Sequence, residues 1–208
     1  MSRPVIVGVL GLQGDIEEHL AALDEARSRM GLTGDPILVK SLDDVKRIDA
    51  LVIPGGESTV MGALSSIKGI MPALHERIGN GLPTLGTCAG MIMLAKKARD
   101  RVVPEREQAL IGVLDISVER NSFGRQRESF EAELRLNLPG GVMNFKGVFI
   151  RAPSVESVER GVDELARLGD RIVAVQQGKI IGTAFHPELS GSTLLHEYLI
   201  RLASGQDP

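Results

Sequence analysis

Apolar positions in the first half of the chain follow two patterns, short unbroken runs and stripes at helical spacing. Val5 to Leu10 is a continuous apolar run, which predicts a central strand buried on both faces. Gly11-Leu12-Gln13-Gly14-Asp15 then turns the chain. Asp15 is placed to cap a helix whose inner face carries Ile16, Leu20, Leu23 and Ala26 or Ala22. Gly31 to Pro36 is a turn-rich connection and Ile37 to Val39 a second strand. Leu42 to Ile48 is a short helix with Asp43 and Asp44 in its first turn, and Ala50 to Ile53 a third strand. After Pro54-Gly55-Gly56-Glu57-Ser58-Thr59, Val60, Met61 and Leu64 open a helix for which Ser58 is the expected N-cap. Met71 to Ile78 is another amphipathic helix, closed by Gly79-Asn80-Gly81. A strand bounded by Pro83 follows, and beyond Gly90 the apolar residues Met91, Ile92, Leu94, Ala95 and Ala98 recur at helical spacing.

This β-α-β-α-β-α-α-β-α order implies a mostly parallel sheet covered on both faces. The second half differs. Arg99 to Gln108 is charged, contains Pro104 and is expected to be an exposed loop. Asp115 to Arg120, Phe130 to Leu136, Val148 to Arg151, Ile172 to Gln176 and Ile180 to Phe185 are expected strands. Short turns such as Pro139-Gly140-Gly141 and Gln177-Gly178-Lys179 join them, which suggests antiparallel additions to the same sheet. Thr193 to Leu202 is a closing helix with Leu194, Leu195, Tyr198, Leu199 and Leu202 inward, and Gly205 to Pro208 should fray. The expected fold is a three-layer α/β domain spanning residues 1–208, mostly parallel at its centre with antiparallel additions.

At 208 residues, with 43% apolar and 25% charged positions, the chain has the composition of one soluble globular domain. A net charge of −3 and 3% aromatic residues give neither the basic footprint nor the stacking surface of a nucleic-acid binder. A single cysteine cannot form an internal disulfide, which points to a reducing compartment. No apolar run approaches the ~20 residues of a membrane span, and the N-terminus has no signal pattern, so a cytoplasmic location is expected.

The candidate chemistry starts at that cysteine. Cys88 sits between Gly86 and Gly90 at a strand-to-helix joint, the setting of a nucleophile elbow with sulfur in place of a hydroxyl. A helix start favours the thiolate. His186 and Glu188 follow the last strand two residues apart, so in extended backbone both point the same way, and Pro187 opposes a helix there. Glu188 can then hold one imidazole nitrogen while the other faces the substrate. His19, His75 and His196 are expected to be hydrogen-bonded helix residues. One Cys and four scattered His do not make a metal site, and Gly8, Gly11 and Gly14 have the wrong spacing for a dinucleotide fingerprint. Gly55-Gly56 and Cys88 both lie at strand carboxyl ends, where such sheets bind ligands.

Pro54-Gly55-Gly56-Glu57-Ser58, Gly86-Thr87-Cys88-Ala89-Gly90 and His186-Pro187-Glu188 together resemble the flavodoxin-like class I (triad) glutamine amidotransferase domain. Three further segments are similar to the glutaminase subunits of pyridoxal 5'-phosphate synthases: Gly11 to Asp15, Glu119-Arg120-Asn121-Ser122-Phe123-Gly124-Arg125-Gln126 and Phe149-Ile150-Arg151-Ala152-Pro153. The similarity runs from about Val5 to Leu202, and Arg27 to Pro36 is a few residues longer than the family pattern. The resemblance implies hydrolysis of L-glutamine without a cofactor by Cys88, His186 and Glu188, with backbone amides of Gly56 and Ala89 as the oxyanion hole. It implies glutamine contacts from Gly56, Glu57, Ser58, Arg120, Ile150 and Arg151. It also implies a (β/α)8-barrel synthase partner that takes the ammonia and activates the glutaminase on docking. The three generic motifs alone leave open a glutaminase subunit serving histidine, tryptophan or purine synthesis, a stand-alone cysteine hydrolase and a non-catalytic module.

Overall fold

The computed structural model describes residues 4–100, 108–123 and 129–205. Val7–Leu10 (β1), Ala50–Ile53 (β3), Thr84–Thr87 (β4) and Ile180–Thr183 (β12) are buried at every position, as strands covered on both faces must be. With Ile37–Val39 (β2) they form the parallel half of a ten-stranded sheet, in the order β2-β1-β3-β4-β12. The sheet continues through Arg171–Gln177 (β11), Ser154–Val158 (β9), Leu114–Arg120 (β6) and Ala95–Asp100 (β5), and Asp163–Leu168 (β10) pairs with β11. The β12–β11, β11–β9 and β9–β6 pairs are antiparallel, whereas β5 and β6 run parallel.

Helix Ile16–Arg29 (α1) packs against Leu194–Ser204 (α6). Leu42–Arg47 (α2), Ser58–Ile67 (α3), Met71–Gly79 (α4) and Ala89–Leu94 (α5) form a second contacting group. Among the described residues no helix is long and apolar enough to cross a membrane. The long 27–36 connection is tied down by Arg27, whose buried guanidinium donates to the carbonyls of Val5 at 3.0 Å and Thr33 at 2.5 Å.

Several expectations need correction. The stripe through Ala98 does not extend the helix: the carbonyls of Met93 and Leu94 accept the amides of Ile111 and Val113, and the chain leaves as β5. Strands β9 and β10 have no clean apolar alternation, and register shifts interrupt β10. Ser129–Leu138 (β7) and Gly141–Ile150 (β8) do not join the main sheet but form their own ribbon. That ribbon is fastened by an aromatic cluster containing all five phenylalanines of the chain. Phe130 stacks on Phe149 with ring centroids 4.8 Å apart, and Phe149 meets Phe185 edge-on at 5.7 Å. Asp15 makes no side-chain cap bond, and Glu57, not Ser58, caps α3. Of the expected 99–108 loop, Arg99 and Asp100 belong to β5 and residues 101–107 lie outside the described residues. Gly205 is the left-handed C-cap of α6, and residues 206–208 are likewise outside.

The α1–α6 contact includes two fully buried histidines, His19 and His196, with His19 Nδ1 3.0 Å from His196 Nε2. Burial lowers the His196 pKa from 6.5 to about 4. Between those values the unfolded chain takes up a proton that the folded chain does not. This contribution is therefore intact above pH 6.5 and is lost as the pH falls toward 4. His196→Leu should flatten the pH dependence of unfolding free energy in that window by roughly 1 kcal/mol per pH unit, measured by denaturant titration. An unchanged slope contradicts the assignment.

Candidate active site

Strand register brings the candidate residues together. Ile53 pairs with Gly86 and Thr87 with Thr183, so β3, β4 and β12 end at one rim of the sheet. The chain leaving β3 enters Gly55-Gly56, the chain leaving β4 enters Cys88, and the chain leaving β12 reaches His186. The loop after β1 lies alongside, with the Asp15 amide donating to the Gly55 carbonyl at 3.2 Å. The β7–β8 ribbon closes the far side, its Val148 carbonyl accepting the His186 amide at 2.8 Å.

Cys88 carries the strain of the elbow itself. Its φ of 48° and ψ of −102° lie outside the regions a side chain favours, and its amide donates to Thr183 at 2.7 Å. The flanking glycines are required by close packing and not by a positive φ. A Cβ on Gly90 would collide with the Ile53 carbonyl, and one on Gly86 with Leu94 and the Gly90 backbone. Among the described residues the non-glycine positions at positive φ are Cys88, Asn121 and Arg151, and all three line one cleft of about 190 Å³. Every expected site residue except Ala89 and Glu188 also lines it.

Pro187–Leu189 forms one 3-10 turn, with Pro187 at its first position, where a missing N–H costs nothing. Pro187, expected to oppose a helix, therefore begins this short 3-10 turn. The turn still places Glu188 Oε1 2.7 Å from His186 Nδ1, and Asp15 Oδ2 lies 3.1 Å from the same nitrogen. His186 Nε2 is buried without a hydrogen-bond partner, which leaves it for chemistry. Burial alone would lower the His186 pKa. The Nδ1 contacts with Asp15 and Glu188, together with the nearby Cys88 sulfur, outweigh it and hold the imidazolium far above the usual histidine range. Burial pushes the Glu188 carboxyl up, against the hydrogen bond and charge of His186. The 2.7 Å contact favours the charged arrangement, imidazolium beside carboxylate. The ligating atoms of Asp15, His186 and Glu188 lie within 4.8 Å of one another, a closeness that the shared Nδ1 hydrogen accounts for.

Among the other expected residues, Arg120 Nη2 donates to Glu57 Oε1 at 3.0 Å, and its Nη1 lies 3.7 Å from Asp100. Ser58 donates to Gln108 Oε1 at 3.1 Å. The Ile150 carbonyl lies 3.9 Å from Cys88 Sγ, and Arg151 is exposed at the cleft. Gly124, Arg125 and Gln126 of the family-like segment lie outside the described residues. Sequence reasoning missed four neighbours. Asp15, a cap by sequence, contacts His186; Gln13 accepts the Glu57 amide at 2.8 Å; and Asn121 and Ile92 line the cleft. The available signal was position: Gln13 and Asp15 sit in a loop at a strand's carboxyl end.

A strained cysteine elbow beside a buried His–Glu pair, on a mixed α/β sheet of this order, is the architecture of class I glutamine amidotransferases. Residues 9–204 match the SNO glutamine amidotransferase family, and the chain belongs to that family. It is 44% identical over 196 residues to a pyridoxal 5'-phosphate synthase subunit PdxT of Nitrosopumilus maritimus, covering 94% of this chain and 95% of that protein. It is 48% identical over 200 residues to the subunit of that name from Aeropyrum pernix, covering 94% and 98%. A crystal structure of a glutamine amidotransferase superposes with a TM-score of 0.82 at 45% identity, covering 95% of this chain and 98% of that one. A glutamine amidotransferase from Thermotoga maritima, 16% identical, shares the fold with a TM-score of 0.62, covering 94% of this chain and 81% of that one.

The close packing at the elbow makes a direct prediction. Gly90→Ala should lower unfolding free energy by roughly 1–3 kcal/mol, because the added methyl overpacks against backbone that cannot retreat. Gly79→Ala, where nothing lies within 4 Å, should be neutral or stabilising. Denaturant unfolding of both variants checks the contrast.

Proposed function

We propose that the chain is a single glutaminase domain, residues 1–208, that hydrolyses L-glutamine to L-glutamate and ammonia. The ammonia feeds a pyridoxal 5'-phosphate synthase subunit. The observation that carries the reading is the convergence of Cys88, His186 and the buried Glu188 at one strand rim, in a chain of this family. Cys88 gives its thiol proton to His186, and its Sγ attacks the side-chain amide carbon of glutamine. Backbone amides of Gly56 and Ala89 hold the oxygen that becomes negative. His186 gives its proton to the departing nitrogen, the C–N bond breaks, and ammonia leaves behind a glutamyl thioester. His186, now neutral, takes a proton from water, whose oxygen attacks the thioester; the C–S bond breaks, His186 returns the proton to sulfur, and glutamate departs. Glu188 keeps Nδ1 protonated and the ring oriented throughout.

Arg151 and Arg120 suit the substrate's α-carboxylate, and the Glu57 carboxylate its ammonium group. Gly56, Ser58 and the Ile150 backbone complete the grip. No cofactor enters this chemistry. Ammonia released into water becomes ammonium, a poor nucleophile, so it should pass directly to the partner. A (β/α)8-barrel synthase subunit is the partner this reading names. The near-neutral charge and scarce aromatics favour no nucleic acid, and the lone cysteine suits the cytoplasm. The relatives named as pyridoxal 5'-phosphate synthase subunits support the assignment.

Glutamate release by the purified chain with the synthase subunit present is the test. Cys88→Ala should lower it by roughly 10⁴-fold or more, and Arg151→Ala should raise KM with a smaller effect on kcat. Full turnover by Cys88→Ala contradicts the proposal, as does an unchanged KM for Arg151→Ala in respect of that residue.

A further inference from the structure

Behind Glu188 lies a buried polar chain that the mechanism above does not use. His19, on α1, is fully buried; its Nε2 hydrogen-bonds Thr87 Oγ1 at 3.1 Å and lies 3.3 Å from Glu188 Oε2, a buried oxygen with no hydrogen bond. Its Nδ1 lies 3.0 Å from Nε2 of His196, also fully buried, on α6. His196 Nδ1 has no partner. Thr87 immediately precedes the nucleophile, so His19 touches both the strand that carries Cys88 and the carboxylate that orients His186.

Burial lowers the pKa of both histidines, so each carries one ring proton at neutral pH. Two arrangements satisfy the 3.0 Å contact between them. If His19 donates from Nδ1, the proton of His196 must sit on its Nδ1, a buried donor with nothing to receive it. The bare Nε2 of His19 would then accept from the Thr87 hydroxyl while also facing a carboxylate oxygen. If His196 donates from Nε2, its empty Nδ1 is only an unused acceptor, and His19 carries its proton on Nε2, toward Glu188. An orphaned buried N–H costs more than an idle lone pair, and a donor beside a carboxylate is favourable where a lone pair is repulsive.

We propose that His19, held in its Nε2–H tautomer by His196, is a positioning residue that holds a ring proton beside Glu188 Oε2, an oxygen otherwise without a partner, and keeps that carboxylate ionised and aimed at His186. The inference rests on the glutaminase reading. The titratable groups facing Glu188 are His186 from its own turn, His19 from α1 and, through its charge, Asp15 from the loop after β1. Of these Asp15 opposes ionisation of Glu188, while His186 favours it. A ring proton beside a carboxylate favours its ionised form, so removing that of His19 raises the Glu188 pKa. The acid limb of the rate profile then moves to higher pH.

The experiment measures glutamate release by the full chain with the synthase subunit present, across pH, for wild type, His19→Leu, His19→Gln and Cys88→Ala. Gln retains an N–H near the Nε2 position and Leu does not. His19→Leu should lose about ten- to a hundredfold in kcat, the range of one hydrogen bond to a charged group. KM should change little, the acid limb should rise by roughly half to one pH unit, and His19→Gln should recover most of the loss. An unmoved acid limb in His19→Leu, or His19→Gln no better than His19→Leu, overturns the inference and leaves the glutaminase reading intact. Wild type no more active than Cys88→Ala overturns that reading instead. The tautomer is then decided without turnover by ¹⁵N-histidine NMR of the full chain: protonated Nε2 on His19 supports the inference, and protonated Nδ1 overturns it.

Discussion

Glu188 presents a carboxylate with no exposed surface, at the edge of a core where an uncompensated charge costs several kcal/mol. Its surroundings answer that constraint. His186 donates at 2.7 Å, and His19 stands 3.3 Å from the second oxygen. The three residues come from α1, the chain after β12, and the 3-10 turn, so the charge can be buried only when those elements are all in place. The same arrangement leaves Nε2 of His186 without a partner, on a residue that lines the cleft.

A second constraint is backbone strain. Cys88, Asn121 and Arg151 all adopt positive φ, and all face the same cleft. Such conformations persist only where neighbouring structure over-determines them. At Cys88 this support is a fully buried parallel strand and an amide bond to β12, while the aromatic cluster fastens the ribbon that ends beside Arg151. The few aromatic residues of the chain are thus concentrated where they hold the cleft's far wall against Phe185, next to His186.

Much of this was legible in local sequence. Strands β1 and β3 are apolar runs, and G-x-C-x-G and H-P-E mark the cysteine elbow and the His–Glu pair. What failed to show depended on distant partners. Ala95 to Asp100 continues a helical stripe and becomes a strand because residues 111 and 113 capture the helix's last carbonyls. Asp15 has the composition of a cap, but its carboxylate is drawn to a histidine 171 positions away (186 − 15). His19 occupies the apolar stripe of α1 between Ile16 and Leu23, and an ionisable group there was the available sign of a buried partner. Ser154 to Val158 and Asp163 to Leu168 carry too few apolar alternations to declare themselves.

The central claim is that amide cleavage passes through covalent attachment to Cys88. Rapid acid quench of the full chain turning over L-glutamine, followed by peptide mass spectrometry, tests it most directly. The account predicts a glutamyl thioester on the peptide containing Cys88, formed while glutamate is being released. Glutamate release with that peptide unmodified at every quench time contradicts it.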